Sequence, residues 1–391
     1  MARALRDAPL RVVYLDHVAR WSGGEIALAR LLEALDGDVE AHVILGEDGD
    51  LVAALEAIDG VTVEVLPMEA ALRDTRRGQV VPGRLPFRTL SMLTRYVWTL
   101  RGRLRELRPD LVHTNSLKSA LYGGVAARLA RVPVLWHVRD RIADDYLPRP
   151  AVRLVRLASR WIPNAVVTNS VSTLGTLPAG VRASVLYNPV VPDIAPEPAA
   201  PRPATDRPVR VGVLGRLAEW KGQHVFLEAF ARAFPDGEEQ AWLVGSAMFG
   251  EESYERRLHD LANTLGIADR VVWRGFRDDV PAELRELDVL VHCSITPEPF
   301  GQVVVEGMAA GLPVVAARAG GPLEIISEGY DGLLVEPEDV EGLADALVRL
   351  RDSAELRLSL GQAARLSSQR FSPVAAAQRI SLVYAEVTSR T

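Results

Sequence analysis

Twice along this chain a short apolar, β-branched run stops at a glycine turn and gives way to a helix with apolar periodicity, an order that few folds accept. The first instance is Leu10 to Leu15, then Ser22-Gly23-Gly24-Glu25, then the periodic stretch from Ile26 to Leu35. The second is Val209 to Leu214, then Gly215, then a helix from about Lys221 to Phe234. Continuous apolar runs suit strands buried on both faces, and strands joined through helices lie parallel. The alternation continues after the first start, with strands expected at Ala41–Leu45, Val61–Leu66, Leu111–His113, Val132–Val138 and Ala165–Thr168. Helical patterns fall between them at Leu51–Ile58, Leu90–Leu107, Leu117–Ala130 and Ala151–Arg160. After the second start, strands are expected at Trp242–Val244, Val271–Trp273, Val289–His292, Pro313–Ala316 and Leu333–Val335. The pattern predicts an α/β protein of two Rossmann-like, doubly wound parallel-sheet domains facing one another across a cleft.

Between the two starts, the stretch from Asn188 to Pro208 carries seven prolines and almost no large apolar side chain, the composition of a boundary. The domains read as residues 1–188, a linker at 189–208, and 209–372, with 373–391 a C-terminal helix that can pack back on the N-terminal domain. A length of 391 residues, more than one hydrophobic core usually serves, agrees.

No run of 18 uninterrupted apolar residues occurs and the N-terminus lacks an apolar leader, so neither export by a signal peptide nor a membrane span is expected. The single cysteine, Cys293, cannot staple the chain to itself, which fits a reducing cytoplasm. A formal net charge of −6 gives no reason to expect nucleic acid as partner. Charge is unevenly spread, however: from Arg73 to Arg160 there are 19 Arg and Lys against 6 Asp and Glu. Within residues 73–108 the arginines interleave with Leu90, Leu93, Val97 and Leu100, which read as the buried stripe of a crossover helix. The alternative is peripheral contact with anionic lipid, so a soluble acceptor is expected ahead of a lipid-linked one. Lysine occurs only at Lys118 and Lys221, against 43 arginines, so each is a deliberate choice.

The most informative stretch runs from Glu298 to Ile326, EPFGQVVVEGMAAGLPVVAARAGGPLEII. Glu298 sits at a turn marked by Pro297, Pro299 and Gly301, and Glu306 follows eight positions later, about two helical turns. Two carboxylates near one helix face suit a polyhydroxylated ligand. Glycines before helices, such as Gly320-Gly321, leave backbone N–H groups for an anion. Asp278-Asp279 precedes Val280-Pro281 and reads as a helix cap rather than a metal pair. Neither opening loop carries a dinucleotide fingerprint or a Walker loop, which disfavours nicotinamide and nucleotide-hydrolase chemistry.

The EPFG block, the loop at Gly23-Gly24, the motif GRLAEWKG from Gly215 to Gly222 and the strand-loop WRGFRDDV occur in the order found in retaining glycosyltransferases of the family 4 type, which the chain resembles over most of its length. The resemblance implies the GT-B fold. It implies that Arg216 and Lys221 grip a nucleoside diphosphate, that Glu306 holds ribose hydroxyls, and that Glu298 lies beside the transferred sugar. It further implies donor contacts from Gly23, Gly24 and Gly215 and from the backbone around Phe300, Gly301 and Gln302, with His137 reaching the donor sugar. Arg139, Asp140 and His113 are then expected on the acceptor side. Departures from the family pattern are Gly307, where alanine is common, and His292-Cys293, where a Pro-Ser pair is expected; no chemistry is assigned to Cys293.

The implied activity is a retaining, metal-independent transfer of sugar from a nucleoside diphosphate, UDP ahead of GDP, to a hydroxyl acceptor, with the nucleotide sugar as co-substrate and no other cofactor. A nucleotide-sugar epimerase or hydrolase of the same plan, or a non-catalytic sugar-nucleotide binding protein, is the alternative.

Overall fold

A computed structural model of the protein describes residues 8–35, 37–73, 87–190, 207–248 and 250–389. Residues 191–206 of the expected linker and 74–86 of the basic stretch lie outside the described residues. The chain divides into two compact units, Met1–Pro189 with Pro373–Thr391, and Val190–Ser372.

In the first unit a seven-stranded parallel sheet is built from β1 (Leu10–Asp16), β2 (Val39–Leu45), β3 (Val61–Val65), β4 (Leu111–Thr114), β5 (Val134–Val138), β6 (Ala165–Thr168) and β7 (Ala183–Val185). Its order is β3-β2-β1-β4-β5-β6-β7. In the second unit, β8 (Arg210–Leu214), β9 (Gln240–Val244), β10 (Val271–Gly275), β11 (Val289–His292), β12 (Val314–Ala317) and β13 (Leu333–Val335) form a parallel sheet ordered β10-β9-β8-β11-β12-β13. Strand order reverses between β1 and β4 in one sheet and between β8 and β11 in the other, and such reversals open the crevice where doubly wound sheets take ligands.

The apolar runs form these strands because both faces are covered. Val43, Leu111, Leu135 and Val167 pack toward one side of the first sheet, while Val13, Val112, Val134 and Trp136 pack toward the other. The helix Pro373–Thr388 belongs to the first unit, inserting Ala376, Ala377, Ile380, Val383, Tyr384 and Val387 into its core. Val211, Val213, Leu243, Val289 and Val291 anchor the core of the second unit against Phe226 and Phe230.

Several expected elements shift for local reasons. The first helix begins at Gly23, three residues early, because the extended residue Ser22 caps it. Strand β5 begins at Val134 rather than Val132, since Arg131 is left-handed at the preceding helix end and Pro133 follows. The expected helix from Lys221 is a single 3-10 turn, Glu219–Lys221, broken by Gly222 before Gln223–Ala233. Strand β7 and the one-turn helix Val171–Leu174 are too short for periodicity to reveal. In the helix Phe87–Leu107 the buried stripe is Tyr96, Val97, Leu100 and Leu104, with Leu93 partly covered; Leu90, expected in that stripe, is 52% exposed, as is Trp98 at 53%. Among the described residues no helix is long and apolar enough to cross a membrane.

Candidate active site

The reversal between β8 and β11 gathers most of the residues singled out in the second unit. After β8 the chain turns at Gly215, at φ 134°, and Leu217 and Ala218 bury while Arg216 and Lys221 stay partly exposed. Gly222, at φ 73°, then passes so close to the loop after β11 that a Cβ would lie 2.0 Å from the Cys293 carbonyl oxygen. The Ile295 amide donates to the Trp220 carbonyl at 2.9 Å, and Cys293 Sγ donates to the Lys221 carbonyl at 3.3 Å. These contacts bring two loops, more than 70 residues apart in sequence, against each other at Lys221.

Glu298 is held between them. Lys221 Nζ donates to Glu298 Oε1 at 2.7 Å, while His292 Nε2 and Ser294 Oγ donate to Oε2 at 2.6 and 3.0 Å. Burial alone would raise the Glu298 carboxyl pKa, but the charges of Lys221 and His292 and their hydrogen bonds outweigh it and hold the carboxyl far below its ordinary range. The carboxylate is ionised, so the His292 Nε2 facing it is a donating nitrogen, while among the described residues the buried Nδ1 has no partner. Arg216 pairs with Glu251 at 3.2 Å and, like Lys221, lies over the Trp220 ring, at 5.9 and 4.4 Å respectively. The two cations that the resemblance assigns to a diphosphate therefore share one indole platform.

The helix Gln302–Ala309 starts from Gly301, at φ 99°, with no side chain capping it. Gln302 Nε2 donates to Glu306 Oε1 at 3.1 Å, one turn along that helix, whereas Glu298 lies before the helix and turns inward to Lys221. The two glutamates thus do not share a helix face, correcting the periodicity argument. Phe300 is buried edge-on to Phe371, leaving its backbone rather than its ring for a ligand. Gly321 donates to the Glu298 carbonyl at 2.9 Å, and a Cβ at Gly321 would lie 1.8 Å from the Phe300 carbonyl oxygen, so the glycine pair cradles residues 298–300. At Gly307 a Cβ would meet Leu290 Cδ2 at 2.2 Å, so this departure from alanine lets the helix sit close on β11. Asp279 caps the helix Val280–Glu286 through the Ala282 amide at 2.9 Å.

In the first unit the reversal between β1 and β4 places Asp16, Asn115 and Ser116 beside the Gly23-Gly24 turn. Arg139, just past β5, donates from Nε to Asn115 at 3.0 Å and from Nη1 to Asn188 at 2.5 Å. A Cβ on Gly24 would lie 3.2 Å from the Arg139 side chain, so the glycine makes room for this stem. Arg139 therefore lies with Gly24 and Glu25, while Asp140, paired with it in the sequence reading, accepts from Tyr146 Oη at 2.7 Å. Burial lowers the Arg139 pKa to about 10 against the opposing pull of Glu25, Asp16 and Asp140, and among the described residues its buried Nη2 has no partner.

His137 is the penultimate residue of β5, its ring buried and its Nδ1 3.2 Å from His113 Nε2, and among the described residues its Nε2 has no partner. His113, expected on the acceptor side, lies in the core between Tyr14, His137 and Tyr384, and both its ring nitrogens are hydrogen-bonded there, Nδ1 to Tyr384 and Nε2 to His137, so it has none left to offer an acceptor.

Sequence reasoning missed Asp16, Glu25 and Asn115, and it passed over His292 and Ser294. His292 ends β11 at the reversal, and the rule that open parallel sheets take ligands at the carboxyl ends of their strands would have found it. Asp16 and Glu25 carried no signal, because nothing local says that a carboxylate after a strand or in a helix's first turn is buried. Burial, then the charge of Asp16, raise the Glu25 pKa to about 7. A folded value above the usual carboxylate value means that Glu25 costs stability once pH rises above the unfolded value, increasingly up to about 7. Glu25→Gln is accordingly expected to be about 1–3 kcal/mol more stable than the parent at pH 8 and no more stable at pH 4. Thermal unfolding across that range checks it; equal differences at both ends would show that Glu25 does not titrate in this way.

Among the described residues no group of three or more His, Cys, Asp or Glu is placed to hold a metal ion.

Comparison with known proteins agrees with this geometry. Residues 21–194 match Glycosyltransferase Family 4 and residues 198–367 match Glycosyl transferases group 1. The D-inositol 3-phosphate glycosyltransferase of Corynebacterium jeikeium (strain K411) is 30% identical over 307 residues, 71% of this chain and 72% of that protein. The chain belongs to the group 1 glycosyltransferase family. LpsE of Rhizobium meliloti (strain 1021), a lipopolysaccharide core biosynthesis glycosyltransferase, is 40% identical over 157 residues, and the match spans 40% of this chain and 43% of that relative's length. Among solved structures, Anabaena Alr3699/HepE in complex with UDP and glucose superposes with a TM-score of 0.81 at 28% identity, covering 96% of this chain and all of that one. Sucrose-phosphate synthase from Thermosynechococcus elongatus, at 20% identity and a TM-score of 0.73 over 98% of this chain and all of that one, shares the fold. This group 1 glycosyltransferase has the GT-B fold.

Proposed function

We propose that the protein is a retaining glycosyltransferase that moves a sugar from a UDP-sugar to a hydroxyl acceptor without a metal ion. The observation that carries the proposal is the pairing of Lys221 with Glu298 beside Arg216 at the reversal of the second sheet. Its likeness to a protein solved with UDP and glucose supports the uridine nucleotide. Cytoplasmic placement belongs to the same reading and rests on one cysteine in 391 residues.

In this reading the bond between the anomeric carbon and the diphosphate oxygen breaks, the acceptor oxygen bonds to that carbon on the same face, and the acceptor proton passes to the departing phosphate. Negative charge grows on the diphosphate as the bond lengthens. Arg216 offers a planar fork and Lys221 a compact charge, so together they stabilise the leaving group more than the bound substrate. Glu298 keeps Lys221 aimed at the anion and lies beside the sugar. Glu306 accepts from the ribose hydroxyls, the backbone of Phe300, Gly301 and Gln302 meets the sugar, and His137 is a sugar contact. Gly23, Gly24 and Gly215 keep the backbone open to the nucleotide, and Arg139 and Asp140 serve the acceptor.

Nucleotide sugars ranked by the thermal shift they cause, followed by an assay of UDP release with and without acceptors in EDTA, test the proposal. Release that depends on an acceptor and survives EDTA is expected. Acceptor-independent release would make the protein a hydrolase, and activity lost in EDTA but restored by magnesium or manganese would overturn metal independence. Glu306→Ala is expected to weaken UDP binding about ten- to hundred-fold, the scale of removing a charged hydrogen-bond partner. Calorimetry with UDP decides it; unchanged affinity would remove Glu306 from the ribose.

A further inference from the structure

A chain of hydrogen-bonded rings crosses the core of the first unit and ends on the unpartnered nitrogen of His137. Tyr14 Oη lies 3.0 Å from Tyr384 Oη, Tyr384 Oη 2.6 Å from His113 Nδ1, and His113 Nε2 3.2 Å from His137 Nδ1. All four residues are buried, none more than 2% exposed. Three come from adjacent strands β1, β4 and β5; the fourth, Tyr384, comes from the C-terminal helix Pro373–Thr388.

The protons in such a chain can run in only two directions. If each group donates toward His137, Tyr14 donates to Tyr384, Tyr384 to His113 Nδ1, and His113 Nε2 to His137 Nδ1. Every interior donor is then used, and His137 presents an N–H at Nε2. In the reverse direction His137 donates from Nδ1, His113 donates to Tyr384, and Tyr384 donates to Tyr14. The Tyr14 hydroxyl proton is then left in the core, since among the described residues Tyr14 Oη has no acceptor besides Tyr384. Either direction leaves one donor over, the Nε2–H of His137 in the first and the Tyr14 hydroxyl in the second. A donor near a strand end, where doubly wound sheets take ligands, can be met by a ligand, whereas one at Tyr14 inside the core has nothing to meet it, so the first direction wins. Both rings stay neutral: burial, then the nearby Arg139 guanidinium, push the His113 pKa down to about 3 and that of His137 well below its ordinary value.

We propose that Tyr384 and His113 are positioning residues that lock His137 in the tautomer protonated on Nε2, making its free nitrogen a hydrogen-bond donor to an oxygen of the bound sugar. The proposal rests on the reading of His137 as a ligand-touching group and names how that contact is oriented. It also gives the C-terminal helix a part in the chemistry, because its Tyr384 sets the direction of the whole chain.

Ring-selective 15N labelling of histidine in the full chain tests this directly. In long-range proton–nitrogen spectra, the signals lost in His137→Ala and His113→Asn identify the two rings. Both are expected to carry their proton on Nε2, and Tyr384→Phe is expected to move the His113 Nδ1 resonance to that of an unbonded nitrogen. A proton on Nδ1 of either ring, or a doubly protonated ring, would overturn the proposal. With UDP-glucose as probe, Tyr384→Phe is expected to lower turnover about ten-fold, the scale on which partners that orient an imidazole act. In a His137→Ala background the same change is expected to alter the remaining turnover less than about two-fold. Equal losses in both backgrounds would make Tyr384 merely structural and sink the proposal. The spectra need no donor, so a protein that leaves UDP-glucose unchanged counts against the donor reading and not against the tautomer.

Discussion

Lys221→Ala is expected to lower turnover by about 10²–10³-fold, the loss that follows removal of one preorganised donor to a developing charge. Lys221 is one of two lysines in the chain, and its ammonium lies 2.7 Å from Glu298 and over Trp220. Its removal also leaves the Glu298 carboxylate, among the described residues, with only His292 and Ser294 as side-chain donors. The two residues therefore act as a unit, and Glu298→Gln in the Lys221→Ala background is expected to cost much less than in the parent. Stability answers a different question. The Glu298 carboxyl is held below its ordinary value, so its contribution is present above the unfolded pKa and is lost only as pH falls through the lower folded one. Acid unfolding of Glu298→Gln should thus be shallower than that of the parent, whereas the turnover loss persists at neutral pH. Turnover of Lys221→Ala within a factor of about three of the parent would remove Lys221 from the reaction.

The second large effect is expected at a residue with no side chain. Gly222→Ala places a Cβ 2.0 Å from the Cys293 carbonyl oxygen, at a φ of 73° that disfavours alanine in any case. Backbone, unlike the end of a flexible side chain, does not move aside cheaply. The variant is expected to lose about 3 kcal/mol or more of stability in the second unit and, by parting the loops after β8 and β11, to lose turnover as well. Gly180→Ala is the control: its φ of 84° is equally left-handed, but nothing lies within 4 Å of the added carbon. Only the conformational cost of about 1–2 kcal/mol is expected there. Denaturant midpoints compare the two, and equal shifts would show that the close approach at Gly222 contributes nothing.

Much of the architecture was legible because its causes are local. A run such as Val289–His292 or Ala165–Thr168 is apolar whatever surrounds it, and alternation of such runs with helical periodicity allows little besides parallel sheets. Strand ends were legible for the same reason, whereas the part given to His137 came through resemblance. The motif GRLAEWKG and the two glutamates of the EPFG block were legible only through resemblance, since neither spacing nor composition says which anion a lysine meets.

What sequence could not supply is every relation that spans the chain. Lys221 and Glu298 are 77 positions apart, and their pairing exists because Gly222 lets one loop close on another. His113 and Tyr384 are 271 positions apart; the residue that resemblance put on the acceptor side instead bonds a tyrosine of the C-terminal helix, inside the core. Glu25 and Asp16 look like ordinary surface carboxylates until folding takes them out of water and sets their charges against each other. By itself the sequence determined the strands, the helices, the two parallel sheets and the stock of charged residues at the strand ends, because hydrophobic periodicity and turn chemistry act over a few residues. Which of those residues touch, which are buried, and therefore which proton or charge each one carries were decided only by tertiary structure, because desolvation and hydrogen-bond partners are properties of the packed chain.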